Sequence, residues 1–390
     1  MARRKYIWMA IVAAVAVLLA FWVHSRWDAW FTMPPEPEFV FPEMPDNVQL
    51  TFGIDAERSR MVTWQSGLAA DSAGLALVCP NGDTVRYEAV RHDFQNCSGR
   101  GSYYNTQFVV GAGDYRYRVS VDTLASEWYS FSVAPPHSRN ALRFIVIGDV
   151  QNVQDTLNDV VRKIQRDFSP QFWLQAGDLI ERPHMQWWNR YFADFDSVAQ
   201  SVPVVAALGN HDFHKSLPRK VDERFFYTFP FYGLCPDCPE GTAHFDVGDA
   251  SFYIFNTTRN FFSLMEQRRW FLREVSRGGE GQWRIVLLHH PPFSSKSRFN
   301  NLPTKWAFVP AFNASGVDVV FSAHEHTCER RNPSEGMDFY QFISHFSPKN
   351  YTGNPSDGRH FHVVDVTDSF MEVRTYTDMF EMTDSLRIEK

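Results

Sequence analysis

The chain has 390 residues, 44% of them apolar and 16% aromatic, which is enough for more than one folded unit with a sizeable core. A formal charge of −7 and a pI near 6.1, with no basic stripe, exclude nucleic acid as the expected partner. Five cysteines leave at least one thiol unpaired within the chain. Cys79 and Cys97 suit a disulfide in an exported protein. Cys235-Pro-Asp-Cys238 suits a small disulfide loop, or plain loop thiols, better than half a zinc site, because no second ligand pair stands nearby.

Arg3-Arg4-Lys5 precede Tyr6–Val23, an uncharged apolar run of 18 residues. As a helix it spans roughly 27 Å, sufficient for a thin hydrocarbon core. A cleaved signal peptide starts the same way, but its apolar region is shorter and a small-x-small site follows it. Here Phe21-Trp22-Val23-His24 follows, so residues 1–30 read as a membrane anchor in preference to a cleaved signal. The basic residues before the run, with Asp28, Glu36 and Glu38 after it, place the body outside the cytoplasm, periplasmic or on the cell surface. Cleavage of the segment would make the protein a secreted one. Residues 31–45 are Pro-rich and read as a stiff, solvated spacer.

Residues 46–135 contain short alternating runs at 48–52, 60–64, 76–78, 106–110, 115–119 and 128–133, with Asn81-Gly82 as a hairpin turn. Strands at this spacing predict a β-sandwich of the immunoglobulin or fibronectin kind. No catalytic constellation falls within it.

Residues 140–380 change to strand–helix alternation. Leu157, Val160, Val161 and Ile164 sit at helical spacing, as do the apolar positions of about 185–198 and 266–275. Five apolar runs end in polar, metal-binding residues: 144–147 in Gly148-Asp149-Val150-Gln151, 172–176 in Gly177-Asp178, 202–207 in Gly209-Asn210-His211-Asp212, 285–288 in His289-His290, and 317–322 in His324-Glu325-His326. These ends are expected at one edge of one sheet, where open α/β sheets place their chemistry. A long aromatic-rich insertion between Asp212 and His244 is expected as a rim or lid over them. Alternating runs at 339–343, 361–366 and 370–373 suggest a second sheet stacked on the first.

Carboxylates can bridge two cations, while neutral imidazole and carboxamide oxygen fill the outer positions. Asp149, Asp178, Asn210, His289, His324 and His326 are that inventory. Gln151 can ligate through its amide oxygen or orient a water. His214, Lys215, Lys296 and Arg298 lie in loops able to flank the site.

The order Gly-Asp-x-Gln, Gly-Asp, Gly-Asn-His-Asp, His-x-Pro and Ala-His-x-His resembles the calcineurin-like metallophosphoesterases, and most of all purple acid phosphatases and their bacterial relatives. His326-Thr327-Cys328-Glu329-Arg330 is similar to their His-x-x-Glu-Arg ending. The resemblance implies a four-layer α/β/β/α catalytic sandwich behind a fibronectin-like one and an N-terminal transmembrane helix. It implies two metal ions drawn from Fe, Mn or Zn. Asp178 would bridge them, Asn210, His289 and His324 would hold one, and Asp149 and His326 would hold the other. His211 would stabilise transition-state charge or protonate the leaving group. That family has a tyrosine where this chain has Glu181, so the tyrosinate-to-iron colour is not expected. The implied reaction is hydrolysis of a small phosphate monoester by a metal-bound hydroxide. A phosphodiesterase acting on nucleotides or lipid head groups, and a non-catalytic surface binding module, are the alternatives. No protein partner is implied.

Overall fold

The computed structural model describes residues 2–390 apart from 68–69, 136–140, 152–156, 217, 280 and 350–357. Two six-stranded mixed sheets form the centre of the body. The first orders its strands Val204–Ala206, Phe172–Gln175, Leu142–Ile147, His360–Val366, Phe370–Thr377 and Met382–Glu389. The second orders Ala243–Val247, Ala250–Ile254, Trp283–Leu287, Val319–Ser322, Tyr340–Ile343 and Glu329–Arg331. The first three strands of the first sheet run parallel, and so do the middle four of the second.

Aromatic side chains join the two sheets. Phe144 and Phe172 of the first meet Phe252 of the second edge-to-face at 5.3 Å each, and Phe144 meets Phe321 at 6.4 Å. Such pairs add to the stabilisation that their burial alone supplies. On the outer face of the first sheet the helix Leu157–Phe168 buries Leu157, Val161 and Ile164, the stripe its spacing predicts. On the outer face of the second, the helices Phe261–Arg277 and Leu302–Ala314 pack Trp270, Phe271, Phe308 and Phe312 around Phe255. The result is four layers, α/β/β/α.

The five polar strand ends therefore do not share one sheet, as the sequence pattern suggested. Three belong to the first sheet and two, those before His289 and His324, to the second. The pattern shows that each strand is buried, but not which strand it pairs with. The last strand also runs on to Glu389, past the expected limit at 380, because it pairs antiparallel with Phe370–Thr377.

Residues 46–133 form two antiparallel sheets around Trp64, Tyr104, Tyr117 and Phe131. They sit against the body: the Leu50 amide donates to the Ala199 carbonyl at 2.7 Å, and Thr51 Oγ1 to Val204 at 2.9 Å. The proline-rich stretch ahead of them is not a solvated spacer. Phe41 is buried, and the Glu36 carboxylate pairs with the buried Arg224 guanidinium at 2.6 Å and accepts from Asn96 Nδ2 at 2.6 Å. Prolines stiffen the backbone, but Phe39, Phe41 and Glu36 give it a face to dock with.

The described residues of the aromatic insertion after Asp212 pack mainly into the core and do not form a lid, although Arg219 within it borders the site as part of a rim. Phe225 and Phe229 are fully buried in the main core. Cys235 and Cys238 form a disulfide there, while Cys79 and Cys97 stay free. At the other end of the chain, Ala2–Phe31 is one helix. Its stretch Arg4–Asp28 is long and apolar enough to cross a membrane, and among the described residues none buries its apolar window.

Candidate metal centre

The ligand-bearing residues sit where parallel strands end and the chain must turn sharply. Asp149, Asp178, His324 and His326 all have left-handed backbones, with φ of 52°, 56°, 72° and 51°. Such backbones cost about 1–3 kcal/mol each and collect at functional sites. The turns also press against each other. A Cβ on Gly177 would lie 2.8 Å from His289 Nδ1, and one on Gly209 would overlap the Asp178 amide and carboxylate.

Every sequence-predicted ligand lies in one connected cluster. His289 is its hub: its Nε2 is 3.1 Å from Asn210 Oδ1, 3.2 Å from His324 Nδ1 and 3.3 Å from Asp178 Oδ1. Its Nδ1 donates to the Ala176 carbonyl at 2.9 Å, which turns Nε2 inward. Asp149 lies 3.9 Å from His289 and 4.0 Å from His326. Gln151 Nε2 donates to Asp178 Oδ2 at 3.3 Å, and its own Oε1 is buried without a partner. His211 stands at the rim, its Nε2 4.0 Å from Asp178 Oδ2 and its Nδ1 2.8 Å from the Glu181 carbonyl.

Electrostatics separate these groups. Burial pushes the Asp149 carboxyl well above the usual carboxylate range, opposed by the His289 charge, and neither oxygen forms a well-made hydrogen bond. Burial acts the same way on Asp178, but the charges of His289 and His211 overcome it and hold that carboxyl low. Burial would lower His289, yet the adjacent Asp178 raises it to about 9. Burial, helped by neighbouring imidazoles, lowers His324 and His326 to about 3, so both are neutral, the form that binds metal. Orphaned carboxylate oxygens, inward imidazole nitrogens and a free amide oxygen form a donor set that suits cations.

Several neighbours carry no sequence signal beyond their position. Asp212 accepts the amides of Gly209, Asp178 and Leu179 at 2.7, 3.1 and 3.2 Å, tying two ligand turns together. Burial and the Asp178 charge push its carboxyl up to about 8. Burial opposes the Arg219 charge and Asp178 favours it, and Lys349 pairs with Glu181 at 3.5 Å. His290 is held by Thr257 at 2.9 Å, close enough to His289 and His324 to share a cation with them. Away from the centre, Arg330 pairs with Asp384 on the last strand, and His244 stacks on Tyr253.

Residues 142–328, which carry the whole ligand cluster, match the family described as calcineurin-like phosphoesterase. Over that stretch the chain is similar to that family. It is 27% identical over 215 residues to purple acid phosphatase 21 of Arabidopsis thaliana, a match covering 52% of this chain and 48% of that protein. It is 24% identical over 332 residues to an uncharacterized protein of Mycobacterium tuberculosis, covering 74% and 62%. The matched regions thus span only 48% and 62% of these relatives' own lengths. In three dimensions the chain aligns with a purple acid phosphatase from yellow lupin (Lupinus luteus) seeds at a TM-score of 0.72 and 18% identity, covering 90% of this chain and 75% of that one. It aligns with PhoD at 0.59 and 12%, covering 90% of each. At such identities the shared feature is the α/β metallophosphoesterase fold.

Proposed function

We propose that this protein is a two-metal phosphoesterase that hydrolyses small phosphate monoesters. One observation carries the proposal: the buried Asp149 carboxylate has no well-made hydrogen bond and lies within 4.0 Å of two imidazoles. A buried carboxyl so placed resists ionisation unless a cation offsets its charge. Asp178 contacts both His289 and Gln151 and would be the ligand shared by the two cations. Asn210, His289 and His324 would hold one cation, and Asp149 and His326, with Gln151 beside them, would hold the other. Fe, Mn and Zn all accept such donors. When bound, the pair neutralises phosphoryl oxygens and makes a water acidic near neutral pH.

The chain's own groups do the rest. The Glu181 carbonyl fixes the His211 ring so that Nε2 faces the cluster, where it binds a phosphoryl oxygen or hands a proton to the departing alkoxide. The Arg219 and Lys349 charges lie close enough to attract an anionic ester. The sandwich at 46–135 is a fibronectin-like support for the catalytic part at 140–380. The helix at 1–30 anchors the body outside the cytoplasm.

The test uses the full chain in detergent, stripped of metal and reloaded with Mn, Fe or Zn. It should hydrolyse p-nitrophenyl phosphate faster than bis-p-nitrophenyl phosphate. Failure to cleave any ester with any of the three metals would refute the proposal, and a preference for the diester would replace it with a phosphodiesterase.

A further inference from the structure

A groove of about 420 Å³ opens beside the candidate metal centre. Its wall starts at Pro292, two residues beyond His290, and takes in the loop 293–300, Lys305 and Arg331. Glu325, the residue between His324 and His326, fastens this loop to the ligand turn. Its Oε2 accepts the Ser295 amide at 2.6 Å and the Ser295 hydroxyl at 2.5 Å, and its Oε1 accepts Asn301 Nδ2 at 3.2 Å. Groove and centre are therefore parts of one rigid mouth.

The lining is basic. Lys296, Arg298, Lys305 and Arg331 face it with serine hydroxyls between them, and no lining residue is acidic. In a chain of formal charge −7 this is a local reversal. Arg331 is matched by Glu329 at 2.5 Å. Arg298 and Lys305 instead lie over the rings of Phe299 and Phe293, at 4.8 and 4.2 Å, and among the described residues neither has a carboxylate partner. Lys305 also belongs to the first turn of the helix Leu302–Ala314, the end that favours anions. The Lys296 charge acts on Asp149, His324 and His326, which places it between groove and centre. Cations without acid partners, set among hydroxyls in a concave wall, suit a second phosphoryl group.

We infer that the groove binds a second phosphate of the substrate, borne by the leaving group, so the enzyme selects phosphoesters carrying two separate phosphates. This rests on the phosphoesterase reading and names its substrate class.

The experiment compares the full chain with an R298Q/K305Q variant whose melting curve matches it. Inorganic pyrophosphate is titrated calorimetrically into the metal-free protein, which tests the groove without catalysis. Binding should weaken about tenfold in the variant and fall with added salt. With metal restored, KM for fructose 1,6-bisphosphate should rise about tenfold, while kcat/KM for p-nitrophenyl phosphate stays within about twofold. Equal pyrophosphate affinity in both proteins, or an equal loss on both esters, would overturn the inference. If neither ester is cleaved, the phosphoesterase reading falls, and the pyrophosphate titration alone decides whether the groove binds phosphate.

Discussion

Asp212 Oδ2 accepts the backbone amide of Asp178 at 3.1 Å, so one buried carboxylate holds another in its left-handed turn. The same group takes the Gly209 and Leu179 amides. Asp212→Ala would leave three buried donors unpaired. It should destabilise the chain by roughly 3 kcal/mol or more and lower metal content. Asp212→Asn keeps an acceptor and should be milder. Chemical denaturation with metal analysis checks this, and an alanine variant of unchanged stability would contradict the role given to Asp212.

Asp149 should behave in the opposite way. Its carboxylate is buried without a well-made hydrogen bond, which opposes folding when no cation is present. Asp149→Asn should raise the stability of the metal-free protein by about 1 kcal/mol while reducing the metal bound per chain. Thermal melts of stripped protein and metal analysis of reloaded protein make the comparison. A stripped variant that melts lower, with full metal content, would place Asp149 outside the centre.

His211 stands at the rim, where its ring is held by the Glu181 carbonyl. His211→Ala should therefore cost about 10²–10³ in kcat and leave metal stoichiometry intact. Glu181→Gln keeps the backbone carbonyl that orients the ring, so its loss should be about tenfold or less. Loss of metal in the His211 variant would reassign it as a ligand.

The pH dependence follows from His289. Asp178 raises its imidazole to about 9 from an ordinary 6.5, so protonation stabilises the metal-free fold. That contribution is complete below pH 6.5 and disappears as pH rises through about 9. A cation needs the neutral ring and displaces the proton. The stripped protein should lose melting temperature between pH 6.5 and 9, and the gain on adding Mn should grow over the same window. Differential scanning fluorimetry measures both, and a gain that shrinks with rising pH would count against His289 as a ligand.

The cluster was legible in the sequence because its members are chemically conspicuous and each ends an apolar run. What the pattern hid was pairing. Period and composition mark Trp283–Leu287 and Val319–Ser322 as buried strands, but only their pairing with each other and with Ala250–Ile254 shows that they form a separate sheet, which packs on the first through Phe144, Phe252 and Phe321. Asp212 stood in the motif without a role, because two of the three amides it accepts come from a turn more than thirty residues away. The groove was invisible for the same reason: Lys296 and Arg298 look like solvated loop residues until Glu325 ties their loop to the histidine turn. The insertion after Asp212 does not form a lid, although long loops invite that expectation, because its phenylalanines fill the core.

The docking of Glu36 on Arg224 has a geometric consequence. The N-terminal helix ends at Phe31 and Glu36 is already pinned to the body, so the free tether is the four residues 32–35, and Phe31 and Glu36 can stand at most about 17 Å apart. Were that helix to cross a bilayer, so short a tether would keep the body in a thin layer of fluid next to the lipid surface.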